Sequence, residues 1–274
     1  MRYSLDSLVI SKFLGLLILA QYNNYFVIMN SIVGVMDIMT ANTTASIGNS
    51  IVLESLEKNY NDFKRIQLIY MWIAGFCTVA LFCIYQPFMR IWVGSELMFD
   101  DLTMSVFCIY FFTNRCGDIC YTYRQSAGLW WEDRYRPIVE AVANLTLNII
   151  LVQIIGVTGV MLSTIIGLIF INAIWGSRIL FKHYFKGYKQ SSYLLELLLY
   201  TAVTAAACAA CGAICSLLPQ LGRTVAGFAL IGARGIICLV VSNIIFWLVY
   251  RKLPQYKSML TLAKKIVRLK RRSM

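Results

Sequence analysis

The chain has 274 residues, 59% hydrophobic and only 14% charged, with a mean hydropathy of +0.68, whereas soluble domains carry about a quarter charged residues. That composition excludes an ordinary soluble domain and predicts an all-α, polytopic transmembrane helix bundle. The net charge of +12 comes without a nucleic-acid fold motif, so nucleic acid is not expected as a partner.

Met1–Ile10 carries Asp6 and lacks a basic segment ahead of a short apolar core, so the first apolar run is expected to persist rather than be cleaved. Residues 1–14 ("MRYSLDSLVISKFL") read as a partial span, too short to cross by itself. A crossing helix needs about 20 mainly apolar residues. Seven runs meet that length: 19–46, 66–88, 102–123, 137–155, 157–180, 192–218 and 224–250. Proline breaks a helix interior but suits a first turn or the residues past an end. Pro87 and Pro219 are therefore expected to close spans, Pro137 to open one and Pro254 to follow the last. Trp72, Trp92, Trp175 and Trp247 fall near span ends, and Trp130 with Trp131 occupies a loop, the interfacial preference of an indole.

Alternate loops differ sharply in charge. One set carries Lys58, Lys64 and Arg65, then Arg124, Arg134 and Arg136, then Arg178, Lys182, Lys186 and Lys189, then nine more basic residues from Arg251 to Arg272. The other carries Arg90 and Arg223 beside Glu96, Asp100 and Asp101. Basic loops stay preferentially in the cytoplasm, which predicts a multi-pass membrane protein with a cytoplasmic C-terminus and opening stretch. The tail "SMLTLAKKIVRLKRR" (258–272) spaces its apolar residues as an amphipathic helix does, and anionic membrane lipids are its expected partner.

Charges inside an apolar span cost about 2.5–3.5 kcal/mol each on insertion scales and face a bundle interior or wet cavity. Asp37, Arg115, Asp118 and Arg234 are such residues. Arg115 and Asp118, three apart in "TNRCGDIC", are placed to pair on one helical face. Arg234 has no acid on its own helix, which leaves an acid elsewhere, snorkelling or an anionic ligand. Asn144 and Asn148 form a polar stripe at i, i+4 that suits either interhelical hydrogen bonds or a pathway lining. The small-residue face "TAAACAACGA" (204–213) allows close helix approach. The nine cysteines sit in apolar runs, where they behave as small hydrophobes, and the CxxC at 208–211 has no second pair in sequence.

Catalysis finds little support. His183, the lone histidine, stands in a basic loop without a nearby nucleophile, and the acids of "SELMFDD" (95–101) read as the mirror of a positive-inside topology. No cofactor or metal is expected, and the chain is not expected to be an enzyme.

Four stretches, "SLVISKFLGL" (7–16), "TASIGNSIVLESLEKNYNDFKR" (44–65), "YMWIAGFCTVALFCIYQPFMRIWVG" (70–94) and "YRQSAGLWWEDRYRPIVEAVANLTLNIILV" (123–152), together resemble bacterial polysaccharide flippases. These are O-antigen or capsular repeat-unit transporters of the multidrug/oligosaccharidyl-lipid/polysaccharide exporter superfamily. The resemblance implies a carrier that moves undecaprenyl-pyrophosphate-linked oligosaccharide to the outer leaflet by alternating access, built as two six-helix halves often followed by two further helices. It places 1–185 as the second lobe, 186–250 as two additional helices and 251–274 as the basic tail. The first half has no counterpart in the sequence, which implies a fragment, a separately encoded first half or an inactive chain, the fragment being favoured; polymerases and glycosyltransferases are the other implied partners.

On that reading Arg115, Asp118, Arg234, Asp37, Asn144 and Asn148 are substrate-cavity candidates, and the island "YRQSAGLWWEDRYRPIVEA" (123–141) supplies a cytoplasmic gate through Arg124, Glu132, Asp133, Arg134 and Arg136. The alternatives are a drug or metabolite antiporter of the same superfamily and a non-transporting scaffold.

Overall fold

A computed structural model describes residues 2–219 and 222–261, all-helical apart from turns and short connections, with no strand among them. The helices are α1 (Arg2–Phe13), α2 (Leu16–Leu53), α3 (Leu56–Trp92), α4 (Asp101–Cys116), α5 (Asp118–Ser126), α6 (Trp130–Asp133), α7 (Arg136–Gly167), α8 (Ser177–His183), α9 (Gln190–Ser216) and α10 (Val225–Tyr250). A π-helical segment, Leu168–Gly176, joins α7 to α8. Five helical stretches are long and apolar enough to cross a membrane: α2, α3, the run Trp130–His183, α9 and α10. This is the architecture of a multi-pass membrane protein. Of the basic tail, residues 254–261 are helical, and 262–274, where most of its charge lies, fall outside the described residues.

Several boundaries differ from the sequence reading. Helix α2 runs 38 residues, about 57 Å at 1.5 Å per residue, well past the expected 19–46. Helix α3 begins at the Ser55 cap, whose hydroxyl accepts from the Lys58 amide. Pro87 does not close it, because the helix continues to Trp92. One missing amide near a helix end in a packed bundle is tolerated when neighbours satisfy the freed carbonyl. The expected span 102–123 is two helices broken at Gly117, and the carbonyl at the break, that of Cys116, accepts from Tyr193 Oη at 3.2 Å.

Helix α7 is folded back on itself. Ile155 (φ −132°, ψ 22°) and Gly156 (φ 61°, ψ −139°) leave the helical region, and glycine is the residue that takes a positive φ without strain. The two halves then run side by side: Asn144 Nδ2 donates to Thr164 Oγ1 at 2.8 Å, and Ser163 Oγ donates to Asn148 Oδ1. The expected boundary between runs 137–155 and 157–180 thus falls at this turn. Helices α1, α4 and α7 pack together, while α9 and α10 pack on α3 and on each other. A tyrosine and phenylalanine cluster joins α2 to α3 and α4, with Tyr25 Oη donating to Gln86 Oε1 at 2.7 Å.

Candidate functional site

The polar residues of α7 recur at every fourth position: Arg136, Glu140, Asn144 and Asn148. That interval is close to one turn, so the four side chains line a single stripe, and all four are buried. Such a stripe needs partners, because an unpaired buried polar group costs several kcal/mol in an apolar medium.

The partners come from three directions. At its deep end Asn148 Nδ2 donates to Asp6 Oδ1 of α1 at 2.7 Å and to Asn144 Oδ1 at 3.2 Å. In the middle, Glu140 accepts from Asn172 Nδ2 of the π segment at 3.0 Å, and Arg136 Nη1 donates to Asn172 Oδ1. The wider π turn carries Asn172 toward the stripe, in keeping with the frequency of π turns at functional sites. At the outer end Arg136 forks onto Asp133, with Nε to Oδ1 at 2.6 Å and Nη2 to Oδ2 at 3.0 Å, and reaches Glu140 Oε2 at 3.1 Å. Arg124 of α5 completes this group, its Nε 3.1 Å from Asp133 Oδ2; the approach is an ion pair rather than an aligned hydrogen bond. Gly176 makes room for it, since a Cβ there would lie 2.6 Å from Arg124 Nη1.

A second charged group lies where α2, α3, α4 and α5 meet. Arg115 is buried, with Nη1 2.7 Å from Asp37 Oδ1 and 3.1 Å from Asp118 Oδ2, and Tyr70 Oη donates to Asp118. The expected Arg115–Asp118 pair therefore forms, across a helix break rather than within one helix, and Asp37 is the nearer partner.

Between the two groups is a cavity of about 430 Å³. Asp118 and Tyr121 line it from α5, Arg136, Glu140 and Asn144 from α7, and Asn172 from the π segment. Of the three guanidiniums (Arg115, Arg124, Arg136) and four carboxylates (Asp37, Asp118, Asp133, Glu140) in the two groups, Arg136, Asp118 and Glu140 line the cavity and the rest pair with one another or with these three.

The sequence candidates divide accordingly. Asp118, Asn144 and Arg136 line the cavity, Arg115 and Asn148 sit in contact with its lining residues, and Asp37 reaches Arg115 from a mostly exposed position. Arg234 is not among the lining residues. It is buried in α10 and donates to the carbonyls of Leu218 (2.9 Å) and Pro219 (3.4 Å), ending α9 as a cation suits a helix C-terminus. Of the gate candidates, Arg124, Asp133 and Arg136 form one buried cluster. Arg134 turns outward, its guanidinium 3.9 Å from the Trp131 ring centroid and 4.4 Å from that of Tyr135. Glu132 lines a separate groove with Arg178, Lys182 and His183. Glu140, Asp6 and Tyr70 were missed as site residues. The fourfold spacing could have shown Glu140, whereas nothing local marks Asp6 or Tyr70.

No family model, no curated protein and no solved structure matches the chain. What the site can do is therefore read from its chemistry. Arginine forks and amide donors suit oxygen-rich anionic groups. Carboxylates already pair with these arginines, so an anion that takes a carboxylate's place exchanges one ion pair for another.

Proposed function

We propose that this chain forms one lobe of a membrane carrier for lipid-linked oligosaccharide, moving an undecaprenyl-pyrophosphate-linked repeat unit between leaflets. The observation that carries the reading is the cavity of about 430 Å³ within an apolar helix bundle, lined by Arg136 and amide side chains. A pyrophosphate needs cationic and dipolar partners, a sugar needs hydrogen-bond donors and acceptors, and a membrane carrier must present both away from lipid. Phrase-level resemblance to polysaccharide flippases supports the same substrate class.

In this reading seven segments cross: α2, α3, α4 with α5, the two halves of α7 with the second continuing into α8, α9, and α10. The basic connections face the cytoplasm. A crossing α2 then puts the α1–α2 junction at Gly15 on the outer face, opposite Lys58, so the opening stretch ends outside rather than lying wholly in the cytoplasm. Carriers of this kind bind substrate between two lobes, and this chain supplies one wall. Asp133, Arg124 and Arg136 form the inner lock, opened when substrate phosphate competes for the arginines.

Deletion in the source cell, with analysis of surface polysaccharide and lipid-linked intermediates, tests the proposal. Loss of polysaccharide with accumulation of intermediates, restored by the wild-type chain but not by Arg136→Ala inserted at equal level, is the expected result. Unchanged polysaccharide with altered drug sensitivity would replace it by the antiporter reading.

A further inference from the structure

The small-residue face of α9 has a consequence beyond close packing. A Cβ on Gly75 of α3 would lie 2.8 Å from Thr204 Oγ1 of α9 and 3.0 Å from the Phe246 ring of α10, so the three helices approach as nearly as side chains allow. Two to three turns further along the same three helices, Cys83 of α3, Cys215 of α9 and Cys238 of α10 are all buried, and their sulfurs lie within 4.8 Å of one another. Among the described residues no other trio of His, Cys, Asp or Glu side chains converges in this way. The sequence argument against a metal weighed only the CxxC at 208–211, whereas this trio joins a different α9 cysteine, Cys215, to partners from two other helices.

We propose that Cys83, Cys215 and Cys238 form a buried trigonal sulfur site for a soft monovalent metal ion, Cu(I). With metal–thiolate bonds of about 2.3 Å, a trigonal set needs sulfurs about 4.0 Å apart, a contraction of less than about 1 Å that side-chain rotation provides. Soft thiolates select Cu(I) and zinc. Structural zinc takes four ligands, whereas this site offers three.

One Cu(I) entering as three thiol protons leave gives three thiolates and a net charge of −2. Arg234 offsets part of that charge: it stands one turn before Cys238, and its guanidinium donates at 2.9 Å to the carbonyl of Leu218, three residues past Cys215. Cys211, also buried, stands one turn before Cys215 but is not among the sulfurs within 4.8 Å of one another, so it does not supply a fourth ligand.

The full chain, purified in lipid nanodiscs without oxygen, would be loaded with Cu(I) and challenged with a Cu(I)-specific chelator. One Cu(I) per chain should be retained, with sulfur-only coordination in copper X-ray absorption and no comparable retention of Zn(II) against EDTA. Cys83→Ser, Cys215→Ser and Cys238→Ser should each weaken retention at least tenfold, and Cys108→Ser and Cys120→Ser should not. In the wild-type chain, where folding is not in question, Cu(I) should slow alkylation of these three cysteines, read by peptide mass spectrometry. No retention by the wild type, equal retention by the triple serine variant, unprotected thiols or a preference for Zn(II) would each overturn the proposal.

Discussion

Replacing Asp133 by alanine removes the carboxylate shared by two buried arginines, Arg124 and Arg136. Breaking a buried ion pair from one side costs about 3–5 kcal/mol, because a charge is left without its partner in a low-dielectric site. Arg136 keeps Glu140 at 3.1 Å, so the loss falls mainly on Arg124, and the lower end of that range, about 3 kcal/mol, is expected. For a chain of this size that corresponds to a fall of about 6–12 °C in melting temperature. Thermal unfolding in lipid nanodiscs measures it. The reasoning also fixes the sign of a double substitution: with Arg124 and Asp133 both replaced by leucine the stranded charge is gone, and most of the lost stability should return. If Asp133→Ala melts within about 2 °C of the wild type, or if the double variant melts lower still, the cluster does not hold this end of the bundle together.

Gly176→Ala should destabilise by about 1–3 kcal/mol, since the new Cβ displaces the Arg124 guanidinium, and should be nearly neutral when Arg124 is already alanine; melting of the four variants decides. Asn148→Ala removes the 2.7 Å donor to the Asp6 carboxylate, for an expected loss of about 1–3 kcal/mol in the same assay. The Asp100 carboxyl is held below its ordinary value by the Thr103 hydroxyl at 2.6 Å and the Thr103 amide. Its stabilising contribution is therefore present above the ordinary carboxylate range and lost as pH falls through the depressed value. Asp100→Asn should keep the cap on α4 while removing that acid sensitivity, and an unchanged pH profile of unfolding would refute the assignment.

Helical membrane architecture was legible because it depends on local composition: runs of about 20 apolar residues can only be helices there. The turn at Gly156 was marked by a glycine where one apolar run gives way to the next. The polar stripe was half legible: Asn144 and Asn148 stood out in an apolar segment, while Arg136 was read with the loop before it and Glu140, inside the 137–155 run, was not read as part of the stripe. What lay out of reach was long-range. Asp6 meets Asn148 across 142 positions, Arg115 meets Asp37 across 78, and the partners of Arg234 are main-chain carbonyls, which have no sequence signature. Pro87 misled for the opposite reason, a strong local rule yielding to a packed surrounding.

The fold at Ile155–Gly156 also bears on biogenesis. The first half of α7 carries Glu140, Asn144 and Asn148, and some of their partners, Asn172, Thr164 and Ser163, emerge from the ribosome only later. Released alone into lipid, that half would hold amide groups lacking part of their hydrogen bonding. The two halves are therefore suited to leave the insertion machinery together, and a slow translation step between residues 150 and 160 would be harmful.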